Sequence, residues 1–300
     1  MRPNNKFSRM PKSFWATVRT VSQKVGYTIR GQGIVKVPTV DEIKDAFISL
    51  NLDPDIVIND NNHTQLTADL ISYYEYRADV LNNYVEPRLM DAVLLKDKNG
   101  NNLNARGEEK EQRARVEFER LYDELKPNCP IPMNKQKGEK KAPAYLTGII
   151  NMLVEKNSDG ASCNYDPREL TTVTKGGSPL RTLARRVDGA FPGTVNPSAI
   201  WEIKEYYYTT TFGSRVADGV YETLLDGMEL EELQEHEDIK VLHYLMVDSH
   251  YTWWVCGKSY LCRIIDMLHM GYVDEVLFGY EIIERLPSLV KSWVAEQNQS

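Results

Sequence analysis

One short segment, AIWEIKEYY at residues 199–207, constrains the fold most, because it sets charged residues inside a run of bulky residues that favour strands. Successive side chains of a strand point to opposite faces, so Glu202 and Lys204 share one face while Trp201 and Ile203 share the other. The apolar neighbours indicate that the charged face is half buried. The segment therefore predicts a strand that carries an acid and a lysine side by side within a core.

A second acid lies upstream, where Asp188 is followed by a turn-forming glycine. An aspartate, a gap and then Glu-x-Lys is an arrangement that can bind a divalent metal. Asp188 and Glu202 would supply hard oxygen ligands to Mg²⁺, and Lys204 would position a water or stabilise the charge of a phosphate. The alternative is structural: Asp188 begins a turn, and Glu202 and Lys204 form a surface ion pair.

This spacing resembles the signature of the PD-(D/E)XK nucleases, the active site of many type II restriction endonucleases. The match consists of Val187-Asp188, thirteen intervening residues and Glu202-Ile203-Lys204, with Val187 where the family usually has proline. The resemblance covers roughly residues 144–250. It implies that Asp188, Glu202 and Lys204 are catalytic, that the Ile203 backbone carbonyl is a further metal ligand, and that Glu155 on the preceding helix is a candidate ligand.

The order of predicted elements agrees with this resemblance. The family core is a mixed central β-sheet flanked by helices, in the order helix, three strands, helix, strand. The sequence predicts a helix over 144–156, strands over 181–188 and 198–208, a helix over 214–235 and a strand over 241–247. The missing strand falls within 163–175. A further set follows, with strands over 251–255 and 275–278 and helices over 259–270 and 280–297.

The N-terminal part predicts a separate, mainly helical region over 1–130, followed by a catalytic domain over 144–300. Helices are predicted over 39–50, 68–95 and 108–125, and a linker over 130–143. The first forty residues contain eight basic residues and no acid, although the whole chain has a net charge of −7. They predict either a basic tail with a surface helix or an arm that follows a phosphate backbone and contributes to target recognition.

Basic and hydroxyl side chains near the predicted site are candidate DNA contacts, because such groups and helix N-termini bind phosphates. An ion pair with Asp188 is the alternative role for Arg186. The candidates are Arg181, Arg185, Arg186, Thr211, Ser214, Arg215, Lys135 and Lys137.

Several other classes of protein find no support in the sequence. There is no phosphate-binding glycine loop, dinucleotide fingerprint or serine-hydrolase elbow. The four cysteines and five histidines lack the spacing of a zinc site, and no apolar run is long enough to span a membrane. These features predict a reduced, cytoplasmic protein without a membrane partner.

The resemblance implies an α/β type II restriction endonuclease that requires Mg²⁺ and hydrolyses double-stranded DNA at a specific sequence. It also implies a homodimer and a cognate DNA methyltransferase as genetic partner. Two alternatives stay open: a repair or phage-type nuclease of the same fold, and a DNA-binding module in which the same residues form a structural ion network.

Overall fold

The computed structural model describes residues 1–29, 31–59, 62–104, 106–136, 139–210 and 213–298. Its helices are α1 Lys12–Val25, α2 Val40–Ser49, α3 Gln65–Val80, α4 Glu108–Glu111, α5 Arg113–Leu125, α6 Tyr145–Asn157, α7 Ser214–Glu237, α8 Lys258–His269 and α9 Glu281–Gln297. Within the described ranges, no helix is long and apolar enough to cross a bilayer.

Five strands form a central mixed sheet in the order β13-β12-β11-β10-β7. Strand β10 pairs antiparallel with both β7 and β11, whereas β11, β12 and β13 run parallel. These strands are β7 Asn164–Tyr165, β10 Gly189–Phe191, β11 Ala199–Lys204, β12 Leu242–Val247 and β13 Glu275–Phe278.

Within the described ranges, four two-stranded hairpins lie outside this sheet. They are β1 Thr28–Ile29 with β2 Ile34–Val35, β3 Ile58–Asn59 with β4 Asn62–His63, β5 Met133–Gln136 with β6 Glu139–Pro143, and β8 Thr172–Lys175 with β9 Ser178–Thr182. The protein is therefore a mixed α/β fold, as the sequence predicts.

Alternation along the central strands divides the core into two layers. Trp201 of β11 and Tyr244 of β12 belong to the layer formed with α6 and α9, where the Trp201 and Trp293 rings stack at 5.7 Å. Leu245 and Val247 point to the other face, toward α8 and the start of α7. Because both faces are covered by helices, β12 reads as a continuous apolar run rather than an alternating one.

The N-terminal region packs on the rest of the chain. Helices α1, α2 and α3 share a core built on Trp15, Ile43 and Tyr73. The ammonium group of Met1 is buried and pairs with Glu281 of α9. These residues are therefore packed and do not form an extended tail or arm, because they have enough apolar side chains to form their own layer. Their contribution to target recognition stays a prediction.

Three predicted elements differ in the structure. The linker predicted over 130–143 contains the β5–β6 hairpin. The predicted helix 68–95 is α-helical only to Val80; a π-helical turn follows and the helix ends near Pro87, which lacks the N–H that a helix interior requires. The strand predicted over 251–255 is a π-helical segment, His250–Cys256, whose start is capped by the Ser249 hydroxyl accepting from the Thr252 N–H.

The prediction of a strand over 181–188 is also wrong. Strand β9 ends at Thr182 and β10 begins at Gly189, so the chain between them is irregular. Individual hydrogen bonds hold this segment in place, such as the one that the Ala184 N–H donates to Glu229 of α7. The strand that could not be assigned within 163–175 is β7, only two residues long.

Candidate active site

The antiparallel register of β10 and β11 sets the first pair of residues. Gly189 pairs with Trp201, and the Asp188 N–H donates to the Trp201 carbonyl at 3.1 Å. Continuing that register by one residue puts Asp188 opposite Glu202, and opposed residues of an antiparallel pair project from the same face. Two carboxylates distant in sequence thus face each other where β10 begins.

The Asp188 carboxylate continues the hydrogen bonding to β11 just before β10 begins. Its Oδ2 accepts a hydrogen bond from the Ile203 N–H at 2.7 Å. In a strand, the N–H and C=O of one residue point toward the same neighbour, so the Ile203 carbonyl is directed to this same edge. Burial, with a further contribution from the charge of Glu202, raises the pKa of Asp188 to about 6.

Glu202 and Lys204 lie together beneath α7. The Lys204 Nζ is 2.8 Å from Glu202 Oε2 and 3.3 Å from Glu222 Oε2 on that helix. Glu202 has no exposed surface and Lys204 is 6% exposed. Gly219 makes room for the lysine, since a Cβ there would lie 3.0 Å from Lys204 Cδ.

Arg185 lies in the irregular segment before β10 and contacts two carboxylates of this group. Its Nη1 lies 2.8 Å from Glu202 Oε1 and 2.6 Å from Asp226 Oδ2. The contact with Asp226 is a hydrogen bond, whereas the contact with Glu202 is close but lacks hydrogen-bond geometry. Glu202 Oε1 and Asp226 Oδ1 are thus buried acceptors without a hydrogen-bond donor among the residues described.

The charges of this group do not balance. Two cations, Lys204 and Arg185, face four carboxyl groups: those of Asp188, Glu202, Glu222 and Asp226. Burial, reinforced by the charge of Glu202, raises the pKa of Asp226 to about 7. Burial would also raise the pKa of Glu202, but Lys204 and Arg185 outweigh it and hold that pKa below its ordinary value.

This excess of carboxylate suits a hard divalent cation. Mg²⁺ is commonly bound by one or two carboxylates and keeps several waters, so Asp188, Glu202 and the Ile203 carbonyl are a sufficient set of donors. In the part of the chain that the structure describes, no three Asp, Glu, His or Cys side chains are grouped to hold a metal by themselves. The residues therefore fit Mg²⁺ shared with a substrate or solvent, and do not form a closed all-protein cage.

A cavity of about 900 Å³ opens beside Asp188 and Ile203. Thr147 and Asn151 of α6 form one wall, and the segment after β7, including Arg168, forms another. Arg168 is 74% exposed and pairs with Asp166 at 3.0 Å. The cavity opens the Asp188 side of the group to solvent.

The structure separates other predicted residues from the site. Glu155 accepts a hydrogen bond from the Asn128 N–H and makes none with Asp188 or Glu202. Arg181 pairs with Glu232 of α7. Arg186 is exposed and forms no ion pair with Asp188 within the described residues, while Ser214 and Arg215 are exposed in the first turn of α7. Lys137, Thr211 and the Lys135 side chain lie outside the described residues.

Sequence reasoning missed Asp226, Glu222 and Arg168. Glu222 and Asp226 are four residues apart and follow Gly219 on the helix after the Glu-x-Lys strand. That spacing, which puts them on one face of α7, was the available signal. No comparable pattern marks Arg168, because its place depends on the turn after β7.

Comparison with known proteins gives a family for most of this chain. Residues 109–293 match the family model described as "Domain of unknown function (DUF7687)". The chain belongs to this family. Residues 1–84 match a second model, "Domain of unknown function (DUF7690)". No curated protein and no solved structure matches the chain. The DUF7687 segment contains the whole candidate site, including Arg185 and Asp226.

Proposed function

We propose that this protein is a magnesium-dependent endonuclease that hydrolyses phosphodiester bonds of double-stranded DNA. The observation that carries the proposal is the group formed where β10 meets β11: Asp188 opposite Glu202, with Lys204 on the same face. It is the constellation that the PD-(D/E)XK resemblance requires, and it brings Asp188 to two residues that lie fourteen and sixteen positions further along the chain.

The order of elements around this group supports a restriction-endonuclease-like core. Helix α6 is followed by β7, β10 and β11 as an antiparallel set, then by α7 and by β12 parallel to β11. This is the order helix, three strands, helix, strand. The β8–β9 hairpin is an insertion between the first and second of these strands.

Each residue of the group has a chemical role in this proposal. Bound Mg²⁺ would polarise the scissile phosphate and lower the pKa of a water. Asp188 and Glu202 would hold the ion, and the Lys204 ammonium would stabilise negative charge that develops on the phosphate. Arg168 on the cavity wall would position the DNA backbone through a phosphate oxygen.

Arg185 contacts Glu202, one of the proposed metal ligands. It neutralises Glu202, yet its guanidinium also reaches Asp226 at 2.6 Å and Glu222 at 3.5 Å. In this proposal Arg185 would move away from Glu202 when the ion binds and would keep Asp226 and Glu222 as partners.

We include in the proposal the type II restriction class, with a homodimer that cuts both strands and a cognate DNA methyltransferase.

A second candidate function is a non-catalytic DNA-binding module. The complete burial of Glu202 favours it, because an acid that is ion-paired on two sides can serve as a structural link. In that case Asp188, Glu202 and Lys204 would contribute to stability only.

Incubation with plasmid and phage DNA, in magnesium or in EDTA, tests these functions. The Asp188→Asn variant retains an oxygen that can accept from the Ile203 N–H, so it removes the charge with little change of shape. Asp123→Asn, at an exposed position of α5, is the matched control. We expect discrete fragments that require magnesium, persist in the control and disappear in Asp188→Asn.

Other outcomes change the proposal in defined ways. A magnesium-dependent smear would retain the nuclease and remove its sequence specificity. DNA binding by all three proteins, without cleavage of any DNA, would contradict the nuclease and favour the binding module.

A further inference from the structure

A second pocket, lined in part by residues of α7, contains an excess of arginine. It has a volume of about 400 Å³ and lies between α1, α7 and α8. Arg19 and Gln23 of α1, Tyr221 of α7, Arg263 of α8 and Tyr27 line it. We call it the arginine pocket.

Arg263 is held in place by neutral groups. Its Nη1 donates to the Tyr221 hydroxyl at 2.7 Å, and its guanidinium carbon lies 5.0 Å from the centre of the Tyr27 ring. In the described part of the chain, neither Arg263 nor Arg19 forms an ion pair with an acid. Such a guanidinium is oriented while its charge stays uncompensated, which is unfavourable for a partly buried group unless an anion is supplied.

The one carboxylate that lines the pocket is already used. Asp266 is 3% exposed and accepts two hydrogen bonds from Arg77, at 2.9 and 3.0 Å, and a third from the Tyr73 hydroxyl. Arg77 also lies 5.3 Å from the Tyr27 ring. Two guanidinium groups, those of Arg19 and Arg263, therefore line a pocket whose carboxylate, among the described lining residues, is already paired with the buried Arg77.

We propose that the arginine pocket binds the phosphate group of a nucleotide, either free or within a nucleic acid. Guanidinium forks match phosphate oxygens, and Gln23 and Thr20 add neutral donors at the rim. The exposed Tyr221 ring supplies a face on which a base can stack. A volume of about 400 Å³ is in the range of small-ligand clefts. The proposal does not depend on the nuclease activity.

Binding measured in EDTA tests this proposal without any cleavage. The probes are inorganic phosphate and deoxyadenosine monophosphate by calorimetry, and a labelled short duplex DNA by fluorescence anisotropy. Arg263→Gln removes the oriented guanidinium, and Arg19→Gln removes an exposed one whose loss leaves packing intact. Arg115→Gln, on the exposed face of α5, is the matched control.

We expect each pocket variant to weaken binding by about tenfold or more, and the control to bind as the wild type does. Binding of the mononucleotide identifies a free ligand, and binding of the duplex alone identifies nucleic acid. Failure of all three probes to bind the wild type, or equal affinity in Arg19→Gln and wild type, would overturn the proposal. A chemical unfolding curve for each variant shows that it is folded.

Discussion

Two acids near the end of β11 are held in different charge states by their surroundings. Glu202 stays ionised because Lys204 and Arg185 outweigh the effect of its burial. Glu205, on the opposite face, has no cationic partner among the described residues. Its Oε2 accepts from the Thr147 N–H and hydroxyl, and its Oε1 is buried with no hydrogen bond from that part of the chain. Burial raises the pKa of Glu205 to about 7, although the hydrogen bonds from Thr147 oppose that rise.

Glu205 should therefore make stability depend on pH. The folded protein binds its proton more tightly than the unfolded chain, so its contribution is complete below about pH 4.5 and is lost as the pH rises to about 7. Glu205→Gln is neutral throughout and can still accept from Thr147. We expect the variant to gain about 1–3 kcal/mol on the wild type between these pH values, measured by urea unfolding. A constant difference between the variant and the wild type at both pH values would contradict this assignment.

The buried Lys204–Glu202 pair gives a prediction about stability. Lys204→Met keeps the length of the side chain and removes its charge, leaving Glu202 with Arg185 alone. We expect a loss near the lower end of about 3–5 kcal/mol in the free energy of unfolding. Lys240→Met, which removes an exposed partner of Asp274, should cost at most about 1 kcal/mol. Equal losses in the two variants would show that burial of the Lys204 pair contributes little.

At the scale of elements, the contact between β10 and β11 depends on a residue without a side chain. A Cβ at Gly189 would lie 2.0 Å from Trp201 Cε2, and that indole is fully buried against Trp293. We expect Gly189→Ala to destabilise the protein by about 3 kcal/mol or more through overpacking. Gly193→Ala, where a Cβ meets nothing within 4 Å, should change stability by less than about 0.5 kcal/mol. Chemical denaturation of both variants measures the difference, and equal stability would refute the role of this contact.

The sequence predicts best the elements that carry a clear local pattern. The capping box at Thr39 marked the start of α2, and the apolar runs of β12 and β13 were assigned nearly to the residue. Strands β7 and β10 have two and three residues, which is too short for an alternating pattern to be recognised. Their positions are set by the pairing of β10 with β11 and of β7 with β10, which no local pattern contains.

The sequence likewise predicts only the part of the candidate site that depends on local geometry. Strand alternation is local, so the shared face of Glu202 and Lys204 followed from the sequence. The contacts of Arg185 and Asp226 depend on how α7 crosses the sheet. Arg185, predicted to contact phosphate, lies against the carboxylates of Glu202 and Asp226. These contacts can be identified only when the position of α7 on the sheet is known.

At the scale of the whole molecule, the N-terminal region shares a core with the central sheet. Met1, Val35 and Leu81 belong to the same apolar cluster as Leu245 of β12 and Leu261 of α8. A chain restricted to residues 85–300 would expose that surface. We expect this fragment to lack a cooperative unfolding transition, measured by calorimetry against the full chain. A cooperative transition would instead support independent folding of the C-terminal part.

The central claim is that Asp188 and Glu202 bind a divalent cation, and its most direct measurement needs no DNA. Thermal unfolding is recorded with magnesium or manganese chloride, and with sodium chloride at equal ionic strength, for the wild type, Asp188→Asn and Asp123→Asn. A ligand that binds only the native state raises the midpoint. We predict a rise in the wild type and in Asp123→Asn, and none in Asp188→Asn. The same midpoint in both salts for all three proteins, or an equal rise in all three, would contradict a metal site at Asp188.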